Sequence, residues 1–495
     1  MLKKTALAAV VIIVAGGIVA APYIMKPYVI EQIKNPAFPD DVRQNLVEQG
    51  FDVTLSSADF QVQGLTSQAV RRLEILNQND QQRFCLELHS QSEFGYRQLF
   101  SGKLVQTHME LVNDSAKSEC SLIHNPQIAS HPGAARIVQS LFQKGSPLLA
   151  DVSYSWLENL NFMVRVEPRT IYNMDNGKGQ ADKFVFKALQ IRGQDDLKGH
   201  QQTQVNWEGG NLSVRYVSHG SVGQLELALG GISGHSDYHW QSQTSMAPGE
   251  FSMQVGSSSM HVLSDDEDSP QVMTFSGLTM SGNTTFDQKQ QTFDSSLRSQ
   301  ISDLMFNQIA IGNPQFNVSL NHMSAASDRE VAHFFKQMQD QPHDWKYKQD
   351  LDAMMAKALS HTQLQFSPIA LQQKEHEVSV AGHLDIGALN DARVQQMGDV
   401  GLLLELMAHV QADLNVVIDQ EPIQQLIRGL LSFDKDHPQL RDQRSAMLSE
   451  QVQRVLEFQS QRGYLAYDQS KQRYSSHVVL KNGQLLLNGK SFQHP

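Results

Sequence analysis

Apolar and polar residues alternate along much of residues 51–320, and this period limits the fold more than any other feature of the chain. Because successive side chains of a β-strand point to opposite faces, the alternation predicts strands with one buried and one hydrated face, which is typical of antiparallel sheets. It is clearest in three segments: Phe184, Phe186 and Ala188; Leu225, Leu227 and Leu229; and Phe316, Val318 and Leu320. Roughly ten to fifteen strands with no helical crossover between them predict a large, curved β-meander.

Short segments containing glycine separate several of these predicted strands. Glycine and asparagine tolerate the positive φ angles of tight hairpin turns, so such segments indicate places where the chain reverses its direction. We expect turns at four of them: Asp175-Asn176-Gly177, Gly209-Gly210, Gly230-Gly231 and Gly282-Asn283.

Clear helical spacing of apolar residues appears late in the chain. Ser327 and Glu330 have the spacing of a capping box, in which the serine oxygen accepts an early backbone N–H and the glutamate reaches back. The stripes that follow predict a helical hairpin lying on the sheet: Val331, Phe334, Phe335 and Met338, then Leu351, Met354, Met355, Ala358 and Leu359. Further predicted elements are helices within 389–408, after Asp419 and at 439–460, and strands at 377–386, 412–418, 464–467, 474–480 and 484–487.

An uncharged apolar run, Ala6–Tyr23, precedes the β-rich region. A bilayer core takes about 17–25 apolar residues in helical form, and Lys3 and Lys4 before the run favour a cytoplasmic N-terminus. The alternative is a signal peptide cleaved near Ala21, which the adjacent Pro22 disfavours. The predicted organisation is a cytoplasmic tip and transmembrane anchor at 1–26, a stalk at 27–50, a β-rich body at 51–320 and an α+β part of the same body at 321–495.

The predicted fold is therefore α+β and predominantly antiparallel β: a curved meander sheet, packed by C-terminal helices, after one N-terminal transmembrane helix. The chain carries 40 basic and 52 acidic residues, a net charge of −12. This balance argues against nucleic acid as a partner, because phosphate contacts need clustered lysine and arginine.

The chain has two cysteines, Cys85 and Cys120. Each flanks a strand-like stretch, and an exported compartment permits a disulfide between them. Two unpaired thiols are the alternative, because the sequence does not give the separation of the two Cα atoms.

The strongest candidate for a chemical site is His235-Ser236-Asp237-Tyr238-His239. On a strand the two imidazoles and the carboxylate would share one face, and zinc or copper binds such ligands. The alternative is the polar outer face of an exposed strand. Serine-hydrolase elbows, phosphate-binding loops, dinucleotide fingerprints and paired zinc-binding histidines on a helix are absent from the sequence, and no cofactor is expected.

Several C-terminal segments resemble one known family, called YdgA or domain of unknown function 945. They are Gln411–Ile418, Gly463-Tyr464-Leu465, Tyr474 and Asn482–Lys490, and the anchor and Phe51–Ile75 fit the same order of elements. The resemblance implies a bacterial inner-membrane protein whose body faces the periplasm, and it brings no established activity.

These observations together predict a non-enzymatic envelope protein that binds another envelope component or a second copy of itself. One alternative is a carrier that holds lipid or another apolar ligand in a groove of the sheet. Another is a metal-dependent enzyme built on His235, Asp237 and His239.

Overall fold

The computed structural model of the protein describes residues 51–77, 82–95, 97–98, 101–113, 139–155, 159–173, 182–196, 202–217, 224–239, 246–263, 271–329, 352–353, 356–357, 359–397, 399–432, 441–481 and 483–491. The predicted anchor and stalk at 1–50, the turn at Asp175-Asn176-Gly177 and most of the helical hairpin lie outside these residues. Among the residues described, no helix is long and apolar enough to cross a membrane.

The described chain is predominantly antiparallel β with a few helices, and its sheets are open. It divides into two compact units after Val217. The strands of the first unit are β1 (Phe51–Gln63), β2 (Thr66–Asn77), β3 (Gln82–Glu93), β4 (Lys103–Asn113), β5 (Leu148–Ser155), β6 (Asn159–Val166), β7 (Arg169–Asn173), β8 (Asp182–Phe186), β9 (Leu189–Asp196), β10 (Gln202–Gly209) and β11 (Leu212–Val217).

In the first unit, most strands form one long ladder in the order β1-β2-β3-β4-β5-β6-β9-β10. The other three form a short ladder, β7-β8-β11. All of these pairs are antiparallel, and β1 to β6 follow one another as a meander. The alternation of polar and apolar residues suits this antiparallel pairing, because each strand can pair with its neighbours while keeping one face polar.

Three strands of the long ladder continue, through a bend, into the three strands of the short ladder. β6 passes into β7, β8 into β9 and β10 into β11, each within two residues. Leu189 pairs with both Val166 and Gly209 on one side of the bend. On the other side, Phe186 pairs with both Arg169 and Leu212. Three adjacent strands therefore bend at the same level.

Gly209 shows why the bend needs glycine. Its φ is +109°, and a Cβ placed on it would lie 2.0 Å from the carbonyl oxygen of Ala188. The prediction of a hairpin turn at Gly209-Gly210 is therefore wrong, because the chain passes through this point without reversing. Gly230-Gly231 likewise lies between two strands that continue into one another, and Gly282-Asn283 lies inside a strand.

Cys85, in β3, is fully buried and disulfide-bonded. Cys120, the chain's other cysteine, lies outside the described residues, so the pairing of the two stays a prediction.

The second unit contains strands and all the long helices described. The strands are β12 (Gln224–Leu229), β13 (Ile232–His239), β14 (Gly249–Val255), β15 (Ser258–Leu263), β16 (Gln271–Phe275), β17 (Gly277–Asp287), β18 (Thr292–Ser302), β19 (Leu304–Phe306), β20 (Ile309–Ser324), β21 (Gln363–Gln373), β22 (His376–Ile386), β23 (Val410–Asp419), β24 (Ala466–Asp468), β25 (Arg473–Lys481), β26 (Gln484–Leu487) and β27 (Lys490–Ser491). The helices are α1 (Asp391–Met397), α2 (Asp399–His409), α3 (Gln420–Leu431) and α4 (Arg441–Gln461).

The long ladder of the second unit runs β13-β14-β17-β18-β20-β21-β22-β23-β25, with β24 and β26 both on β25 and β27 on β26. A short ladder runs β12-β15-β16-β19-β20. The predicted strand at 412–418 and the helix after Asp419 are confirmed as β23 and α3.

Helix α3 packs directly on the sheet of the second unit. Gly429 of α3 is buried, and a Cβ placed on it would lie 2.3 Å from Cδ1 of Ile311 in β20. At the end of the helix, the side-chain amide of Asn307 donates to the carbonyl of Ser432 at 3.0 Å. The expectation that C-terminal helices pack on the sheet holds for this helix.

The predicted capping box at Ser327 is wrong. The helical turn begins at Ala325, and it is the hydroxyl of Ser324 that accepts the N–H of Ala326 at 3.2 Å. Ser327 lies within the turn, where its hydroxyl donates instead to the carbonyl of Lys357 at 3.3 Å. The turn starts earlier because β20 extends to Ser324.

Candidate functional site

The register of the first unit places mainly polar side chains in two parallel rows across the long ladder. Directly paired residues on β3, β4, β5, β6 and β9 share a face, and residues two apart on one strand share it too. The first row is Gln91, His108, Asp151, Met163 and Arg192. The second row is Glu93, Gln106, Ser153, Asn161 and Gln194. Since neighbouring strands are about 4.8 Å apart, the rows extend for about 19 Å.

Two cavities lie along these rows. One, of about 460 Å³, includes Glu93, Arg97 and Gln98. The other, of about 400 Å³, includes Ser153, Asn161 and Arg192. Both include Lys103 and Gln106, so the two cavities adjoin at these residues. We call the two rows, together with Arg97, Gln98, Ser101 and Lys103, the polar groove.

The rim of the polar groove beside β3 is held by a buried amide. Gln98 is 5% exposed, and its Nε2 donates to Oε2 of Glu93 at 2.5 Å. Its Oε1 accepts the backbone N–H of Gly95 at 3.2 Å, while its carbonyl accepts the hydroxyl of Ser101 at 2.8 Å. Because hydrogen bonds to buried polar groups fix local geometry, this rim is preorganised.

The carboxylates of the polar groove already have partners. Glu93 accepts from Gln98, and Asp151 lies 2.9 Å from Nδ1 of His108 on the facing strand. The cations differ. Lys103 donates to the amide oxygen of Gln106 at 3.3 Å, and Arg192 to that of Gln190 at 3.1 Å. Within the described part of the chain, Lys103, Arg192 and Arg97 form no ion pair.

The predicted metal ligands lie on β13 of the second unit, in other surroundings. Nδ1 of His235 is 2.8 Å from the hydroxyl of Ser252, and its Nε2 is 3.6 Å from Oε1 of Glu250. Asp237 and His239 lie further along the same strand. Over the residues that the structure describes, no three or more His, Cys, Asp or Glu side chains are grouped so that they could hold a metal ion. The metal hypothesis gains no support from this geometry.

Asp419 is a buried carboxylate of the second unit with several hydrogen-bond partners. It is 1% exposed and receives two hydrogen bonds from Arg473, Nε to Oδ1 at 2.7 Å and Nη2 to Oδ2 at 2.8 Å. The backbone N–H of Glu377 donates to Oδ2 at 2.8 Å, and Nδ1 of His376 lies 3.6 Å from it. Asp419 occupies the N-cap position of α3, as predicted, but its side chain makes no capping hydrogen bond.

Opposing effects act on the pKa of Asp419. Burial alone would raise the pKa, because it disfavours the charged carboxylate. The hydrogen bonds from Arg473 and Glu377 and the nearby charge of Arg473 outweigh burial, so the pKa is held below its usual value. The same pairing raises the pKa of the Arg473 guanidinium. The arrangement ties β22, β23 and β25 together and leaves no group poised for chemistry.

Helix α2 turns a carboxylate inwards and apolar residues outwards. Glu405 is 2% exposed, and Oε1 accepts from Nη1 of Arg393 at 2.9 Å. Its Oε2 accepts the backbone N–H of Asn390 at 3.2 Å. On the outer side, Val400 and Leu403 are each 58% exposed. The helix is therefore attached through polar contacts, and its apolar stripe remains at the surface.

Sequence reasoning missed the polar groove. Its local signal was visible, because Gln91 and Glu93, or Asp151 and Ser153, are polar residues at alternate positions. Every half-hydrated strand shows such pairs, however, so they single out no site. The groove exists because several strands place these pairs side by side in register, which one strand's sequence does not show.

Comparison with known protein families gives a match to the whole of residues 1–495. The matching family is described as bacterial protein of unknown function (DUF945). Neither the curated proteins nor the solved structures contain a match to the chain.

Proposed function

The chain belongs to the DUF945 family of bacterial proteins of unknown function, as its C-terminal segments predicted, and from the polar groove we propose that it is a non-enzymatic binding protein of the cell envelope. In this proposal the groove holds an extended hydrophilic ligand. The two cavities of about 460 and 400 Å³ fall within the usual range for ligand sites. The observation that carries the proposal is the in-register rows of polar side chains that line both cavities, beside Val152, Phe162 and Met163 in the smaller one.

The arrangement of hydroxyl, imidazole and carboxylate in the groove supports binding over catalysis. Ser153, His108 and Asp151 all line it, and His108 contacts Asp151. A nucleophilic serine needs its base within hydrogen-bond reach. In this part of the described chain, Ser153 makes no hydrogen bond to His108 and is buried.

The proposal places the binding body on the periplasmic side of the bacterial inner membrane. The support is the apolar run Ala6–Tyr23 with Lys3 and Lys4 before it, since cationic flanks favour retention on the cytoplasmic side. The ligand would then be an envelope component. A disulfide at Cys85 agrees with an oxidising compartment.

We expect protease added to intact cells or spheroplasts to distinguish this placement. The body should be degraded in spheroplasts but not in intact cells, because the outer membrane excludes the protease. An epitope placed before Lys3 should stay protected and remain with the membrane fraction. A cytoplasmic control protein must stay intact in the same samples. Protection of the body in spheroplasts would contradict the proposed orientation.

Binding of an apolar ligand is less well supported. The cavity between α3 and α4, lined by Ile423, Val452 and Leu456 among others, is only about 10 Å³. That volume is close to one water molecule, far too small for an acyl chain. The outward stripe on α2 is an apolar surface rather than a pocket.

We expect Gln106→Leu to weaken ligand retention at least about fivefold, because Gln106 lines both cavities. Loss of a polar partner inside a site costs about 1–3 kcal/mol, and about 1.4 kcal/mol corresponds to tenfold in affinity. Native mass spectrometry of the full-length protein in detergent, incubated with fractionated envelope extract, would measure retention.

The matched control is Gln365→Leu, at an exposed position of β21 in the second unit, which should leave retention unchanged. Retention of a lipid that is indifferent to Gln106→Leu would count against the polar groove and in favour of an apolar site.

A further inference from the structure

Resting on the proposed function, we infer that the ligand of the polar groove is an anionic glycan, a sugar chain that carries carboxylate or phosphate groups. The first observation is the availability of the cations. Arg97, Lys103 and Arg192 line the cavities and form no ion pair in the described chain. Their acidic neighbours Glu93 and Asp151 are already engaged by Gln98 and His108.

Two arginines of the second unit, by contrast, pair with buried carboxylates. Arg393 contacts Glu405 at 2.9 Å, and Arg473 contacts Asp419 at 2.7 Å. Those arginines neutralise buried carboxylates and are structural. Among the described residues, Lys103 and Arg192 donate to amide oxygens and Arg97 contacts no carboxylate. Their charges are therefore available for charge-assisted hydrogen bonds to a ligand anion.

The spacing of the cations indicates a chain rather than a single small anion. Lys103 lies on β4 and is shared by both cavities, while Arg192 lies on β9. From β4 to β9 the ladder takes three steps, through β5 and β6, which is about 14 Å at the usual strand spacing. Arg97 extends the series at the opposite rim. Free phosphate would reach one of these positions, whereas a longer ligand reaches several.

The neutral side chains of the groove favour a sugar chain over a peptide. An extended peptide is usually held by the free edge of a sheet or by apolar anchor pockets. The groove instead crosses strands whose backbone groups pair with one another. Gln106, Asn161 and Ser153 each offer a donor and an acceptor, which matches hydroxyl groups that also donate and accept.

Binding of defined polymers to the full-length protein in uncharged detergent tests this inference. The probes are fluorescein-labelled polygalacturonate, dextran phosphate, neutral dextran and polyglutamate of matched length, and binding is followed by fluorescence anisotropy. We expect the two anionic glycans to bind at least tenfold more tightly than neutral dextran or polyglutamate. The stronger of polygalacturonate and dextran phosphate identifies the preferred anion as carboxylate or phosphate.

The decisive variant removes the three cations together as Arg97→Gln/Lys103→Gln/Arg192→Gln. Affinity for the preferred glycan should fall about a hundredfold, and its dependence on salt should weaken with it. The control Arg298→Gln/Arg428→Gln/Lys471→Gln removes the same charge from exposed positions of the second unit and should bind as the wild type does. Circular dichroism should be the same for both variants.

The alternative outcomes separate the two proposals. Equal binding of neutral dextran, unaffected by the triple variant but weakened by Gln106→Leu, would overturn the anionic ligand and leave the binding groove in place. Preference for polyglutamate would overturn the glycan class. Binding of polygalacturonate or dextran phosphate that survives both the triple variant and Gln106→Leu would overturn the groove itself.

Discussion

Replacing Asp419 with alanine lowers the free energy of unfolding of the second unit by about 3–5 kcal/mol, the usual cost of removing one partner of a buried ion pair. The variant leaves Arg473, whose side chain is 25% exposed, without its two strongest acceptors. It also removes the acceptor of the Glu377 backbone N–H. Urea unfolding of the full-length protein, followed by hydrogen exchange in peptides from β22, β23 and β25, measures the effect.

The effect of Asp419→Ala depends on pH with a defined sign. Because the folded-state pKa of Asp419 lies below its unfolded value, the folded state binds the proton less readily, and the ionised pair contributes stability at neutral pH. This contribution is complete above the unfolded pKa of about 3.9 and is lost as the pH falls through the lower, folded value. The difference between wild type and variant should therefore be full at pH 7 and shrink below about pH 4.

Asp413→Ala provides the matched control on the same strand. Asp413 contacts Nε2 of His477 at 2.8 Å, but both side chains are 49% exposed. Exposed pairs contribute about 0–1 kcal/mol, so this variant should unfold almost as the wild type does. Equal losses for the two aspartates, or a loss at Asp419 that persists unchanged at pH 3, would contradict the account of the buried pair.

Replacing Gly209 with alanine destabilises the first unit by roughly 3–5 kcal/mol, the combined scale of backbone strain and overpacking. The added Cβ would lie 2.0 Å from the backbone oxygen of Ala188, which has no rotamer by which to move away. The strands must separate or the bend must open. We expect faster amide exchange in β9, β10 and β11, measured by mass spectrometry under native conditions.

Gly64→Ala measures the cost in stability of a positive φ without a steric clash at the added Cβ. Gly64 also has a positive φ, +60°, but a Cβ there would meet nothing within 4 Å. The cost should be about 1–2 kcal/mol, since only the left-handed backbone is strained. If Gly209→Ala costs no more than Gly64→Ala, the close approach at the bend is not what requires glycine.

The family assignment and the class of fold were accessible from sequence because they rest on local patterns. The period of two in segments such as Leu225, Leu227 and Leu229 predicts a strand, and β12 contains all three residues, although Leu229 is 37% exposed rather than buried. The pattern at 412–418 predicted a strand, and Asp419 predicted the start of a helix. Both lie almost where they were predicted. These features depend on neighbours within one element, and the sequence displays them directly.

The glycine doublets mark the limit of local reasoning. A Gly-Gly pair is compatible with a hairpin turn and with a bend inside a long strand, and both require unusual φ angles. A hairpin at Gly209-Gly210 would require β11 to pair with β10. A bend forms instead, because β10 pairs with β9 and β11 pairs with β8.

The sequence by itself determined that this chain forms antiparallel strands with polar outer faces, and that its C-terminal part carries amphipathic helices, because periodicity is a property of single elements. Only the tertiary structure decided the role of Asp419, whose side chain binds Arg473, 54 residues away, rather than capping its own helix. Only the register of the ladder brought Gln106, Ser153 and Asn161 into one row. The physical reason is the same in both cases: hydrogen bonds between distant segments select partners that no local pattern specifies.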